Sequence, residues 1–251
     1  MNSDKPIIFI SHAAADSDLA TVFKKDVESS FLGMCSLFVS SNLDSIEGGS
    51  EWMRRIYENL SNCRIFIGLL SPIALNRPWI YTEFGAGWIR EIPTISVCHS
   101  GLKKSQLPVP LSHFQALNLT DVVHLEHLYE RIASAIGCAK PERDLPADIA
   151  VYTQITEVQR RQRLIEEWFA QLRIWNPELN KSLASDELEI IIPSTHDSQF
   201  QQFKFEVEEE KYLTLEPRGM AMGTRVGMQA SVWLLRKGSN YKSFLEQINV
   251  E

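Results

Sequence analysis

Short apolar runs alternate with amphipathic stretches through the first 138 residues. The runs are Ile7-Ile8-Phe9-Ile10, Ser36-Leu37-Phe38-Val39, Arg64 to Leu70, Thr94 to Cys98, and a weaker one at Ala116-Leu117-Asn118-Leu119. A strand covered on one face alternates apolar and polar residues, whereas a strand covered on both faces reads as a continuous apolar run. Five continuous runs separated by helical patterns therefore predict an α/β unit with a five-stranded parallel sheet. The intervening helices carry Leu19, Val22, Phe23 and Val27, capped by Asp16 or Ser17, and Trp52, Met53, Ile56 and Leu60, capped by Ser50. Pro78 suits the first turn of a helix over Trp79 to Ile89. A further helix is predicted from Val123 to Ile136.

Beyond residue 138 the pattern changes. Residues 139–148 hold two prolines and mixed charge without periodicity, which predicts a linker between a first domain at 1–138 and a second at 149–251. In the second domain Ile155, Val158, Ile165, Trp168, Phe169 and Leu172 keep helical spacing. Strands are predicted at Leu188 to Ile192, at the alternating Phe203-Phe205-Val207, at Leu213-Leu215 and over Val226-Met228-Ala230-Val232, with a short helix from Tyr241 to Ile248. This is a smaller α+β domain with its own core, to which Trp168, Phe169, Trp175 and Trp233 contribute. The acidic run Glu206, Glu208, Glu209 and Glu210 reads as the wet side of a strand and its turn. The basic group Arg160, Arg161 and Arg163 reads as a solvated helix face.

Composition narrows the function. With 44% hydrophobic and 23% charged residues the chain reads as globular. Twenty-five basic side chains face 32 acidic ones, and no dense Lys/Arg stripe breaks the acidic balance, so direct nucleic-acid binding is not expected. Cys35, Cys63, Cys98 and Cys138 form no CxxC pair and read as small core residues of a reducing cytosol. No metal site is expected; His124 and His127 form an H-x-x-H on a polar helix without further ligands. No apolar stretch approaches the length of a membrane span and no basic leader opens the chain, so it is expected to be cytoplasmic, without membrane partners. Neither a phosphate-binding P-loop nor a dinucleotide glycine pattern nor a nucleophile elbow is present.

In an open parallel sheet, ligands bind beyond the carboxyl ends of the strands. The first strand ends at Ser11-His12-Ala13 and its expected neighbour, the third, ends at Ser71-Pro72. Trp79 and Glu83 stand four apart, on one face of the helix that follows. Spacing alone leaves two readings for the pair, a packing tryptophan beside a solvated glutamate or a site; His12 is equally a loop histidine or a ligand.

Four blocks in order raise the specificity. They are Phe9-Ile10-Ser11-His12-Ala13 with Asp16; Phe38-Val39-Ser40-Ser41 through Ile46-Glu47-Gly48-Gly49-Ser50-Glu51-Trp52; Leu69-Leu70-Ser71-Pro72; and Trp79-Ile80-Tyr81-Thr82-Glu83. Together they resemble a bacterial TIR domain over residues 5–138. The resemblance implies a flavodoxin-like fold with a mobile BB loop after the second strand, here Ser41 to Gly49. It also implies cleavage of NAD+ at its nicotinamide–ribose bond by the glutamate of a W-x-x-x-E segment, which maps onto Glu83 with Trp79 as its tryptophan. Ser11 and His12 are placed to line the substrate pocket, Asp44 is the nearest match to an acidic BB-loop residue, and Gly48 and Gly49 give that loop freedom to close or to serve as an ordinary turn. Phe9, Tyr81 and Trp88 are expected in the core.

The implied protein is an NAD+ glycohydrolase that takes NAD+ as substrate and needs no cofactor, active as a homo-oligomer in bacterial antiphage immunity. Its product would be ADP-ribose or a cyclic ADP-ribose-type signal. The alternative is a non-catalytic TIR interaction module. The second domain is expected to regulate or assemble the first, by binding a sensor partner, a nucleotide messenger or another copy of itself.

Overall fold

Strand β1 (Ile7–Ser11) has no solvated face: Ile8, Phe9, Ile10 and Ser11 are all fully buried. It lies between β2 (Ser36–Val39) and β3 (Cys63–Leu70), with β4 (Thr94–Cys98) and β5 (Gln115–Asn118) beyond, in the all-parallel order β2-β1-β3-β4-β5. The computed structural model describes residues 5–40, 49–179, 187–222, 229–242 and 244. The continuous apolar runs have the expected cause, because helices cover both faces. Ile8, Ile10, Ile65, Ile67 and Leu69 pack against α1 (Ser17–Ser30) and α4 (Val122–Ile136). Phe9, Phe66 and Leu70 point the other way, toward α2 (Gly49–Asn62) and α3 (Pro78–Ile89).

On the α2/α3 face the apolar layer is aromatic. Phe9 stacks on Phe66 at 5.5 Å, Phe66 meets Phe84 edge-on at 4.8 Å, and Phe84 touches Phe114 at 5.3 Å. Phe84 fits only because β3 carries Gly68, where an added Cβ would fall 2.3 Å from the Phe84 ring. Gly87 grants a second close approach, against Thr94 and Phe66. Gly87 of α3 is thus a seat for the sheet, whereas a Cβ at Gly85 would meet open space. Gly68→Ala is expected to cost about 2 kcal/mol by overpacking and to lift α3 from the sheet. Urea unfolding checks this, and an unchanged midpoint would show that Phe84 does not set the height of α3.

Two local expectations fail here. Asp16 precedes α1 but makes no capping bond; its carboxylate accepts from Ser71 Oγ at 2.7 Å, turned inward. Trp88 is 67% exposed, because the buried stripe of α3 passes through Ile80, Glu83, Phe84 and Gly87. Tyr81 is half-buried and its hydroxyl donates to the Leu75 carbonyl.

A single helix, α5 (Leu145–Trp175), follows, and the chain divides into compact units at 1–159 and 160–251. The division falls inside α5 and not at 139–148, where the linker was expected. The reason is apolar: Tyr152 is fully buried in the first core, and Leu145, Ile149 and Ile155 pack against it. In the same unit Gln159 accepts from Ser100 Oγ and donates to the Ala15 carbonyl, tying α5 to the loops after β4 and β1.

The second unit is α+β. An antiparallel sheet of order β6-β8-β7 is formed by β6 (Glu187–Pro193), β7 (Leu213–Met222) and β8 (Gln229–Lys237). Residues 197–209 are helical (α6, Asp197–Glu209), where a strand had been expected at 203–207. The alternation Phe203-Phe205-Val207 is accidental, since Phe205 is exposed while Phe200, Phe203 and Val207, at helical spacing, are fully buried. Glu206 is likewise buried, paired with Arg160 at 3.0 Å and Arg161 at 2.8 Å, so neither the acidic run nor the basic group is simply solvated. The core holds Trp168, Phe169, Phe200, Phe203 and Trp233, with Trp175 at its margin. Tyr241 and Phe244 belong to it as well; Val226, Met228 and the end of the predicted last helix lie outside the described residues.

Candidate active site

Two strand tips and one helix converge on Glu83. Ser11 is the last residue of β1 and Ser40 follows β2, its N–H bonded to the Ile10 carbonyl, so both hydroxyls sit at the carboxyl edge of adjacent strands. Helix α3 starts with Pro78 in its first turn, as its missing N–H and fixed φ favour. One turn on, Glu83 projects from the buried face of α3 toward those tips.

The carboxylate is 1% exposed and has three donors. Oε2 accepts a short bond from Ser11 Oγ, Oε1 accepts from Trp79 Nε1 at 3.0 Å, and the Ser40 side chain adds a third. Trp79 therefore does more than share a face with Glu83, since its indole N–H fixes the carboxylate's orientation. Trp52 of α2, 7% exposed, packs against Trp79 at 5.5 Å and holds it from behind.

No cation faces Glu83 among the described residues. Burial penalises the charged form and raises its pKa from 4.5 to about 7, opposed in part by the bonds from Ser11, Trp79 and Ser40. Neutral donors hold the group in place without locking it ionised. Ser11→Ala removes one bond to the anion and is expected to move the midpoint roughly one pH unit higher. Carboxyl ¹³C titration reads this directly, and an unmoved midpoint would mean that Ser11 does not serve the charged form.

His12, at the same tip, is 6% exposed. Its Nδ1 lies 2.6 Å from the Ala13 carbonyl, as a donor, which leaves Nε2 as an acceptor without a partner among the described residues. Burial lowers its pKa, so the ring is neutral. Beside it is a second polar group. Ser71 after β3 bonds Asp16, and His99 after β4 brings Nε2 to 3.9 Å from Asp16.

The structure thus brings Ser11, His12, Trp79 and Glu83 together. Gly49 is the first residue of α2, so the loop ends one residue earlier than expected. Asp44 and Gly48 lie outside the described residues. Sequence reasoning missed Ser40, Trp52, Asp16 and His99 as site neighbours. For Ser40 and His99 a signal existed: each directly follows a predicted strand, which is where a parallel sheet gathers its ligands. The two histidines of the H-x-x-H pair go separate ways, His124 to Lys104 and His127 to Gln115.

A five-stranded parallel sheet of this order, with a buried carboxylate at the tips of β1 and β2, defines a flavodoxin-like α/β protein with an acidic site. The sequence profile of the TIR domain matches residues 8–133, from β1 into α4, and the chain belongs to the TIR domain family. No curated protein matches it at significant similarity.

Proposed function

We propose that this chain is an NAD+ glycohydrolase that cleaves the nicotinamide–ribose bond with Glu83 as the catalytic carboxylate. The observation that carries the reading is a buried, neutral-donor-held carboxyl at the strand tips with a pKa near 7. In the reaction the C1′–N bond breaks, its electron pair leaves with nicotinamide, and the ribose becomes oxocarbenium-like. Nicotinamide departs neutral, so no general acid is required. An ionised carboxylate beside C1′ attracts that cation more strongly than it attracts the ground state, which lowers the barrier. Water then adds to C1′ and releases a proton, giving ADP-ribose.

The side chains around Glu83 have parts in this scheme. Ser11, Ser40 and Trp79 aim the carboxylate and favour its charged form, and the free Nε2 of His12 is an acceptor for a ribose hydroxyl. The positive nicotinium ring of NAD+ favours ionisation further, so substrate binding itself charges the site. Glu83 must become accessible for this, which fits a TIR enzyme that works as a homo-oligomer. Residues 160–251 then serve as the regulatory or assembly part, answering a sensor partner or nucleotide messenger, in a cytoplasmic antiphage effector.

A second reading rests on the same carboxylate's burial. At 1% exposure, with Ser11, Ser40 and Trp79 bonded to it, Glu83 would serve as a polar tie between α3 and the strands of a non-catalytic TIR interaction module. Incubating the full chain with NAD+, dilute and under assembly-promoting crowding, separates the two. The enzyme reading expects nicotinamide release that disappears in Glu83→Gln; equal release from both proteins contradicts it. Chromatography of the remainder distinguishes ADP-ribose from a cyclic product.

A further inference from the structure

The end of the sheet remote from Glu83 carries a cleft that the proposed reaction does not use. It is lined by Ser61, Asn62 and Arg64 around the start of β3, by Arg90 after α3, by Pro93 before β4, and by Arg131 of α4, and its volume is about 550 Å³. A second cleft of about 700 Å³ shares Asn62, Arg64 and Ser134 with it and adds Lys5 beside the start of β1. Among the described residues neither is lined by an aspartate or a glutamate. That is unexpected in a chain of net charge −7.

Among the described residues no carboxylate pairs with Arg64, Arg90 or Arg131. Arg90 spends one nitrogen on the Leu60 and Cys63 carbonyls, which fixes its stem and leaves the rest of its fork available. Arg131 Nε is buried without a hydrogen-bond partner among the described residues. A buried, unpaired donor of a cationic group is costly unless an anion meets it. Arg64 is exposed on the cleft wall. Planar forks of N–H donors from three separate elements, with Asn and Ser amide and hydroxyl groups between them and no acidic side chain, form a lining suited to phosphate oxygens.

We propose that this cleft binds a small oligophosphate anion, either free or as the phosphate chain of a nucleotide. A compact ligand is favoured over a nucleic acid because the cations lie within one concave, nucleotide-sized space, while residues 1–140 as a whole carry 14 acidic against 12 basic side chains. The site is separate from Glu83, so its occupancy does not depend on whether the chain cleaves NAD+.

The test titrates tripolyphosphate into the full-length chain at constant ionic strength, read by calorimetry and thermal unfolding. Saturable binding is expected, with affinity lowered about tenfold or more in Arg64→Gln and abolished in Arg64→Glu. Exposed Arg64 can be replaced without disturbing the core, and matching unfolding temperatures of the ligand-free proteins establish that. Glu83→Gln is expected to bind tripolyphosphate as the unaltered chain does. ATP against tripolyphosphate then separates a nucleotide from free oligophosphate: tighter binding of ATP assigns the nucleotide, and equal binding assigns the phosphate chain alone. Absence of saturable binding, equal affinity in Arg64→Gln, loss of binding in Glu83→Gln, or tighter binding of a labelled oligonucleotide than of either ligand would each overturn the proposal.

Discussion

Glu83→Gln is expected to lower nicotinamide release from NAD+ by at least ~100-fold while leaving the fold intact. Glutamine keeps the shape of the side chain and can still accept from the Trp79 indole N–H, and the Ser11 hydroxyl can rotate to accept from the new amide. What disappears is the negative charge, and with it the differential attraction for an oxocarbenium-like ribose. A loss confined to KM would place Glu83 in substrate binding alone, and undiminished release would remove it from the chemistry. The ionised form is the working form, so kcat/KM should rise with pH through a midpoint near 7 in the free enzyme, as the buried carboxyl titrates.

The second large effect concerns stability, and it runs opposite to activity. An acid whose pKa is raised on folding holds its proton in the folded state after the unfolded chain has lost it. Stability from this source is therefore whole below pH 4.5 and is lost progressively up to about pH 7. The difference corresponds to roughly 3 kcal/mol by pH 8. Glu83→Gln removes the titrating group, so it should unfold with a flatter pH profile and be the more stable protein at pH 8, though inactive. Urea unfolding from pH 4 to pH 8 measures this. Parallel profiles for the two proteins would show that the carboxyl is not held against its charge. A more stable, inactive variant is the expected signature of a group placed for chemistry at the expense of the fold.

Much of this site was legible in the chain because the physics is local and repetitive there. Strands covered on both faces leave continuous apolar runs, and the four-residue spacing of Trp79 and Glu83 places them on one side of a helix. The order of the four TIR-like blocks then selected Glu83 among many carboxylates. What remained hidden depends on contacts distant in sequence. That Trp52 braces Trp79, that Asp16 forsakes its helix for Ser71, and that Gly68 makes room for Phe84 all require the sheet to be assembled first. The helix at 197–209 was misread for a different reason. Phe203, Phe205 and Val207 match a two-residue period by chance over a short window, and only Phe200, one turn earlier, reveals the helical stripe. The boundary expected at 139–148 was drawn from proline and charge, yet burial of Tyr152 carries the first core well into α5.

The central claim is that a carboxyl at the strand tips is kept near neutrality by burial and meets the substrate. Carbon-detected titration of ¹³C-glutamate-labelled protein from pH 4 to pH 9, with and without NAD+, tests it most directly. The account predicts one carboxyl resonance with a midpoint near 7, absent from Glu83→Gln and shifted to lower pH by NAD+. If every glutamate titrates in the ordinary range, or if NAD+ leaves that resonance unmoved, the account is contradicted.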